Sequence, residues 1–514
     1  MTMLSMRRLR SRGPGVAGLA KQIDAEPGAR GRELRRRLSL LVQTLGGSDV
    51  GQTIDHLERL EVELAHGDAQ VMWLTLAVLL GQFPIESSLR RACRMAELDG
   101  PLAVVAAVMA DRKDLEREHP NALRHHLDIV TNQVVVDLHH TSGAKFNTGI
   151  QRVAREVVRR WAETHDIVLV GWKSGYTALY RLPESIAWET KGDVGLDDES
   201  VAPEGSIIVP WRSTYVLPEL LGEAGRVDRF QCLAHFSGNR SSVIGFDCVP
   251  MTTGETAIVG MGADFAHYLS AVARTDRVAT ISEASAVEFR GWRAMLKGAG
   301  IEGPEIRAIL LPADKPTLND EALAIVRDQL AVVGMPMVLV VGSHEPRKNH
   351  RAVLHAAEML WREGLSFSLL FVGGNSWNSE RFTHNLHQLQ AEGRPVHAVR
   401  ALTDELLWAA YAVARCTVFP SFNEGFGLPV AESLASGTPA ITSNFGSMRE
   451  IAEAGGALLV DPRDDHDIAA ALKRMLTDDA LHASLARQAR ERPARSWEDY
   501  ARETWNYFVD PSLR

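Results

Sequence analysis

Cysteine is scarce in this chain. There are four in 514 residues, Cys93, Cys232, Cys248 and Cys416, and no two form a CxxC pair. That spacing supports neither a disulfide framework nor a zinc site, and scattered thiols in apolar surroundings pack as small hydrophobes. A reducing compartment fits. Nor is there a run of the roughly 18–20 apolar residues that a membrane span needs. The longest, Val71 to Leu80, is too short and reads as a buried helix. Met1 to Gln22 is basic, but its apolar patch Val16–Ala20 is broken by glycine and too brief for a signal peptide. The expectation is a cytoplasmic protein. Net positive charge is missing as well: the formal charge is −9, which argues against nucleic acid as the main partner.

What is present is the composition of a soluble globular protein, with 45% hydrophobic and 24% charged residues. The length suits roughly three domains. Acids are few around Arg7, Arg8, Arg10, Arg12, Lys21, Arg30, Arg32, Arg35, Arg36 and Arg37. This basic start reads either as a solvated tail or as a peripheral contact with anionic lipid at the inner membrane face.

Three regions differ in pattern. Residues 1–130 read as a separate helical extension, with apolar residues at helical spacing from Leu38 through Leu64 to Met95. From Gln133, short apolar runs alternate with helix-like segments. The runs are Val134–Leu138, Ile167–Trp172, Ser206–Pro210, Val243–Cys248 and Val278–Ile281. Gly300–Gly334, with three prolines, reads as a hinge, although Asn319–Val332 has helical character. A second series follows: Met337–Val341, Leu369–Val372, Val396–Val399, Thr417–Pro420, Ala440–Ser443 and Leu458–Val460. The expected fold class is α/β: two Rossmann-like doubly wound domains with a cleft between them, spanning 131–315 and 316–495.

Two segments carry chemistry. The first, Val341-Gly342-Ser343-His344-Glu345-Pro346-Arg347-Lys348-Asn349, follows a strand and precedes a helix. Backbone N–H groups and a helix N-terminus there favour an anion, and Arg347 and Lys348 add a fork and a point charge suited to a diphosphate. Alone, the segment reads better as a surface loop with two solvated cations. It is not a P-loop, and no G-x-G-x-x-G occurs. The second is Glu424-Gly425-Phe426-Gly427-Leu428-Pro429-Val430-Ala431-Glu432. Its glycines allow close backbone approach to a ligand, Pro429 suits the first helical turn, and the two carboxylates bracket a helix N-terminus. They either hold sugar hydroxyls or merely complement the helix dipole.

Glu424 to Glu432 resembles the E-x7-E motif of the retaining glycosyltransferases of family 4, which have the two-domain GT-B fold. Gly342–Asn349 is similar to that family's G-T-x-E-P-R-K-N loop. Leu402–Ala414 resembles its helix before the motif strand, and Ser443–Pro462 its S-x-x-G-S-x-x-E-[IV] and L-x-x-D-P stretches. Thr148–Val153 is similar to its glycine loop, and Ile281–Ser285 to its strand-to-helix turn before the hinge. Ser496–Ala501 resembles its closing S-W-E-x-x-A helix, so 496–514 is expected to cross back onto the first domain. Together these cover about Gln133 to Phe508.

The resemblance implies a donor site on the C-terminal domain and an acceptor site on the N-terminal one. Arg347 and Lys348 would hold the donor diphosphate and Glu424 the sugar, while Gly425, Phe426, Gly427 and Leu428 line that site. Glu432 would take the ribose hydroxyls, Gly149 would let the first domain's loop close over the phosphates, and Val399–Ala401 would meet the base. No cofactor and no metal are expected; Asp464-Asp465 reads as a solvated loop. The donor would be a GDP- or UDP-linked sugar, with mannose the leading choice. The acceptor would be a saccharide or lipid-linked sugar in cell-surface polysaccharide or glycolipid synthesis. One departure stands out. Many members of the family place histidine or tyrosine before an aspartate where this chain has Phe246-Asp247, and phenylalanine neither hydrogen-bonds a hydroxyl nor moves a proton. Asp247 or a histidine, with His139, His140 and His235 as candidates, would then take the polar role. On sequence alone a nucleotide-sugar-binding scaffold, or another GT-B enzyme such as a phosphorylase or epimerase, remains an alternative.

Overall fold

The structure is a computed structural model that describes residues 15–47, 51–118, 125–143, 149–183 and 206–509, with the backbone alone for 112–118. Arg7, Arg8, Arg10 and Arg12 of the basic start, and Thr148 of the glycine loop, lie outside the described residues.

Six helices come first: α1 (Val16–Asp24), α2 (Gly28–Thr44), α3 (Thr53–Ala65), α4 (Ala69–Leu80), α5 (Glu86–Asp99) and α6 (Pro101–Glu118). The apolar run seen in sequence is α4. Val71 through Leu80 are all buried, as a helix hydrophobic on every side must be. Asp68 caps its start by accepting the Gln70 N–H, and Gly81 ends it at φ 65°, a left-handed conformation that glycine adopts without strain. The bundle shares one apolar cluster with Leu127, Ile207, Val209 and Trp211 of the sheet that follows. The buried guanidinium of Arg37 fastens the junction. It is paired with Glu33 at 3.1 Å and donates to the His125 carbonyl at 2.8 Å.

Two parallel sheets follow. The first has nine strands: β1 (Leu127–Thr131), β2 (Val134–Asp137), β3 (Ile167–Trp172), β4 (Leu179–Arg181), β5 (Ile207–Trp211), β6 (Thr214–Leu217), β7 (Arg240–Gly245), β8 (Arg277–Thr280) and β9 (Glu305–Ala308). Their order is β1-β5-β4-β3-β2-β6-β7-β8-β9, parallel except for β4. The second has six, all parallel: β10 (Met337–Val341), β11 (Ser368–Val372), β12 (Val396–Val399), β13 (Cys416–Phe419), β14 (Ala440–Ser443) and β15 (Ala457–Val460). Their order is β12-β11-β10-β13-β14-β15. Chain direction across this sheet reverses between β10 and β13. The loops leaving those two strands therefore open the crevice where doubly wound sheets bind ligands. Those loops are the two segments singled out in sequence.

The doubly wound α/β architecture is as expected. Some strands are not. β9 lies inside the stretch read as a hinge, because Glu305-Ile306-Arg307-Ala308 is an edge strand with little apolar signal. The run placed at Val243–Cys248 is instead Arg240–Gly245: the strand begins on a polar stretch, where the Ser241 N–H donates to Asp276 at 2.7 Å, and ends before Phe246. The final helix, Trp497–Val509, packs on the first domain. The Trp161 indole donates to the Ala501 carbonyl at 2.8 Å, and the Tyr507 hydroxyl donates to the Glu305 carbonyl at 3.0 Å.

The end of β2, where the first sheet changes direction, is held by a buried charge network. Asp137 accepts from Tyr215 and Trp172, both at 2.7 Å, and from Arg226 at 2.9 Å. Arg226 also donates to Glu219 at 2.6 Å, and Glu219 in turn accepts the N–H groups of His140 and Thr141. Removing one member of such a network leaves uncompensated buried charge. Arg226→Met, which keeps the volume, is expected to lower stability by about 3–5 kcal/mol in denaturant titration.

Candidate active site

The loop after β10 runs through a 3-10 turn, Pro346–Lys348, into the helix His350–Arg362. The loop after β13 runs through Gly427, at φ 101°, into the helix Leu428–Ala435. The turn presents its two cations to the second loop. Arg347 Nη1 meets Glu424 Oε2 at 2.6 Å, and Lys348 Nζ meets Glu424 Oε1 at 2.6 Å. Arg347 also donates to the Asn423 carbonyl and to Glu345, both at 2.7 Å, and Ser421 donates to Glu424 at 2.7 Å. Lys348 Nζ further lies 4.9 Å above the centre of the Phe419 ring. Burial pushes the Glu424 carboxyl up, but Arg347 and Lys348 outweigh it and hold it down at about 2. Burial likewise opposes the Arg347 charge, and Glu424 and Glu345 reinforce it. An incoming diphosphate would find a fork and a point charge already aimed at one spot.

The first domain closes against this site at Gly425. A Cβ there would lie 2.5 Å from the Phe246 carbonyl oxygen and 3.0 Å from Asp247 Oδ2, so only glycine fits. The Gly425 carbonyl accepts the hydroxyls of Ser282 at 2.6 Å and Ser285 at 2.9 Å. Glu450 reaches over to accept the N–H groups of Glu283 and Ala284, capping the helix Glu283–Gly298 from the opposite domain. Asn423 donates to Thr252 and Glu288, and Trp377 to the Thr256 carbonyl.

Asp247 thus stands beside Gly425 at the domain contact, accepting the Val249 N–H at 3.0 Å. Burial pushes its carboxyl up to about 6, against the pull of Arg347. That suits a group exchanging protons near neutrality. Phe246 is 5% exposed and belongs to an apolar cluster that also contains Phe419, Phe426 and Val430 of the other domain. The residue that breaks the family pattern therefore packs across the interface.

Glu432 does not join Glu424. It is buried one turn into its helix, with Oε1 on Arg152 Nη1 at 2.6 Å and Oε2 accepting the Tyr411 hydroxyl at 2.9 Å. Gly149 faces Leu428, where a Cβ would sit 3.6 Å from the leucine methyl. His139 and His140 lie at the end of β2. The Nδ1 of His139 accepts the Trp172 N–H at 3.1 Å, and His140 pairs with Glu223 at 2.8 Å. His235 is exposed near the end of the helix Ala224–Phe236, stacked edge-on with Phe236. Sequence reading gave no site role to Arg152, Tyr411, Ser282, Ser285 and Glu450, although each lies in a stretch that carries the resemblance, since nothing in spacing marks partners so far apart in the chain. Among the described residues no cluster of three or more His, Cys, Asp or Glu side chains is arranged to hold a metal ion, and no helix is long and apolar enough to cross a membrane.

Two parallel-sheet domains with their loops meeting in a cleft define the GT-B architecture. Sucrose-phosphate synthase from Thermosynechococcus elongatus shares it at a TM-score of 0.53 and 18% identity, over 73% of this chain and 98% of that one. Residues 324–492 match the family model "Glycosyl transferases group 1". The serotype-specific mannosyltransferase WbdA of Escherichia coli is 26% identical over 340 residues, 63% of this chain and 40% of that protein. The O-antigen chain mannosyltransferase B of Escherichia coli is 34% identical over 172 residues, 33% of this chain and 45% of that protein. The chain spans about two fifths of the length of the curated relatives it matches.

A carboxyl whose folded value is raised favours the folded state below its unfolded value, and that contribution is lost as pH rises through the folded one. Ionised Asp247 therefore costs stability above about pH 6. Asp247→Asn keeps an acceptor for the Val249 N–H and is expected to be more stable than the parent by of order 1–3 kcal/mol at neutral pH. Melting curves should show the gain growing between about pH 4 and 6 and constant above.

Proposed function

We propose that the protein transfers a sugar from a nucleoside diphosphate sugar to a saccharide or lipid-linked acceptor, with retention of anomeric configuration. The observation that carries this reading is the convergence of Arg347 and Lys348 on Glu424 at the point where the second sheet reverses direction. As the glycosidic bond breaks, negative charge builds on the departing diphosphate, and the two cations are placed to stabilise it. Glu424 then turns to the sugar, Glu432 takes the ribose hydroxyls, and the backbone of Gly425, Phe426 and Gly427 lines the donor. Gly149 lets the opposing helix close over the phosphates.

In this retaining reaction the departing phosphate helps to deprotonate the acceptor hydroxyl. Asp247, at the domain contact and titrating near neutrality, is the side chain placed to assist. Closure at Gly425 excludes water, so that the acceptor hydroxyl attacks rather than water. Mannose from GDP-mannose is the donor we favour, because the similar proteins from Escherichia coli are named as mannosyltransferases. That reading places the protein in cell-surface polysaccharide or glycolipid synthesis, on the cytoplasmic side. The chemistry needs no metal, since Arg347 and Lys348 supply the positive charge, and chelator should leave the rate unchanged. A binding-only scaffold was suggested by Phe246, and the packing of that ring supplies another reason for its presence.

A thermal-shift screen over GDP-, UDP-, ADP- and dTDP-sugars identifies the donor, because a ligand that binds only the native state raises its melting temperature. With that donor, Glu424→Ala and Lys348→Ala are each expected to lose at least about 10²-fold in transfer rate while circular dichroism shows a folded protein. Full activity in both variants would sink the proposal.

A further inference from the structure

The ion pair between Arg152 and Glu432 has no part in the reaction as proposed, yet it joins the two domains. Arg152 lies in the first turn of the helix Gly149–Thr164 of the first domain, and Glu432 lies in the helix Leu428–Ala435 of the second. They are 280 residues apart in the chain and 2.6 Å apart in space, with the Glu432 side chain 5% exposed. Among the described residues each Glu432 oxygen has one hydrogen-bond partner, Arg152 on Oε1 and Tyr411 on Oε2.

An ionised carboxylate offers about four lone-pair sites. Two are filled here, leaving one on each oxygen for a pair of neighbouring hydroxyls. A protonated carboxyl loses that symmetry, because one oxygen becomes a donor. Burial pushes the Glu432 carboxyl up, and Arg152 and Tyr411 pull against it while Asp404 adds to the push. Without Arg152 only the Tyr411 hydroxyl opposes burial and the like charge of Asp404, and the balance moves toward the protonated form.

We propose that Arg152 is a positioning residue: from the first domain it supplies the counter-charge and orientation that let Glu432 accept the ribose hydroxyls of a nucleoside diphosphate held on the second. The proposal rests on the reading above that Glu432 is the ribose ligand. It makes the nucleotide pocket of one domain complete only when the other is docked on it.

The test is calorimetric titration of the full chain with GDP, UDP and ADP between about pH 6 and 8.5, each variant expressed as a ratio to the parent at the same pH. Arg152→Gln is expected to lose about tenfold more affinity than the parent on going from the alkaline to the acid end, as each unit of pH below a raised carboxyl value removes about tenfold of the ionised form. Arg152→Lys, which restores a charge without the fork, should return the profile to parallel with the parent at somewhat weaker affinity. Tyr411→Phe keeps the ion pair and the ring packing and should move in the same direction by a smaller factor. Arg152→Met, which also removes the charge, carries the test should Arg152→Gln fail to fold. Profiles for Arg152→Gln and Tyr411→Phe that run parallel to the parent overturn the role of Arg152 and leave the donor reading intact. A parent that binds none of the three nucleotides overturns the donor reading and this proposal with it.

Discussion

The absence of a side chain at Gly425 is the constraint on which the rest of the cleft depends. Its backbone comes so near Phe246 and Asp247 that a methyl group would lie 2.5 Å from a carbonyl oxygen. That approach sets the separation of the two sheets. It brings the hydroxyls of Ser282 and Ser285 onto one carbonyl and lets Phe246 share an apolar cluster with Phe419 and Phe426. Next to that contact, Glu424 is enclosed with two cations, whereas burial of Asp247 outweighs the pull of Arg347. A single glycine thereby links packing between domains to the ionisation of the groups in the cleft.

Much of this was legible in the sequence. The segments Val341–Asn349 and Glu424–Glu432 were placed at strand ends by local signals alone: short apolar runs before them, amphipathic helices after them, glycine and proline between. Because the second sheet is parallel with regular strand–helix alternation, those signals sufficed, and β10, β12 and β14 fall where the apolar runs put them. Four strands of the first sheet escaped notice: β1, which begins inside the stretch read as a helical extension, the short β6, and β4 and β9, which carry no sustained apolar pattern. The polar start of β7 hid three residues of that strand for the same reason.

Long-range pairing was not legible. Arg152 with Glu432, Glu450 with the helix at Glu283, and Arg226 with Asp137 are separated by 280, 167 and 89 positions, and each depends on how domains and sheets dock rather than on local periodicity. The network around Arg226 shows why such groups matter. It fixes the backbone of His140 and Thr141 just beyond the end of β2 through a buried charge cluster that no local pattern announces. The helical extension is tied to the same domain by Arg37, and it contributes apolar residues to a cluster that includes Tyr215 beside Asp137.

The two glutamates of the E-x7-E segment illustrate how environment divides labour between identical side chains. Both are largely enclosed, and burial alone pushes each toward the neutral form. Glu424 faces two cations and is driven down to about 2, whereas Glu432 faces one cation, a phenol and the nearby Asp404, and remains raised. Carboxyls pushed apart in this way are suited to different tasks. The first stays ionised throughout the physiological range and keeps Arg347 and Lys348 gathered on one carboxylate. The second meets its one cation, Arg152, from across the cleft. Equal spacing along the chain would make the two look equivalent. The electrostatics differ because one loop is crossed by the Arg347-Lys348 turn of its own domain and the other by a helix of the neighbouring one.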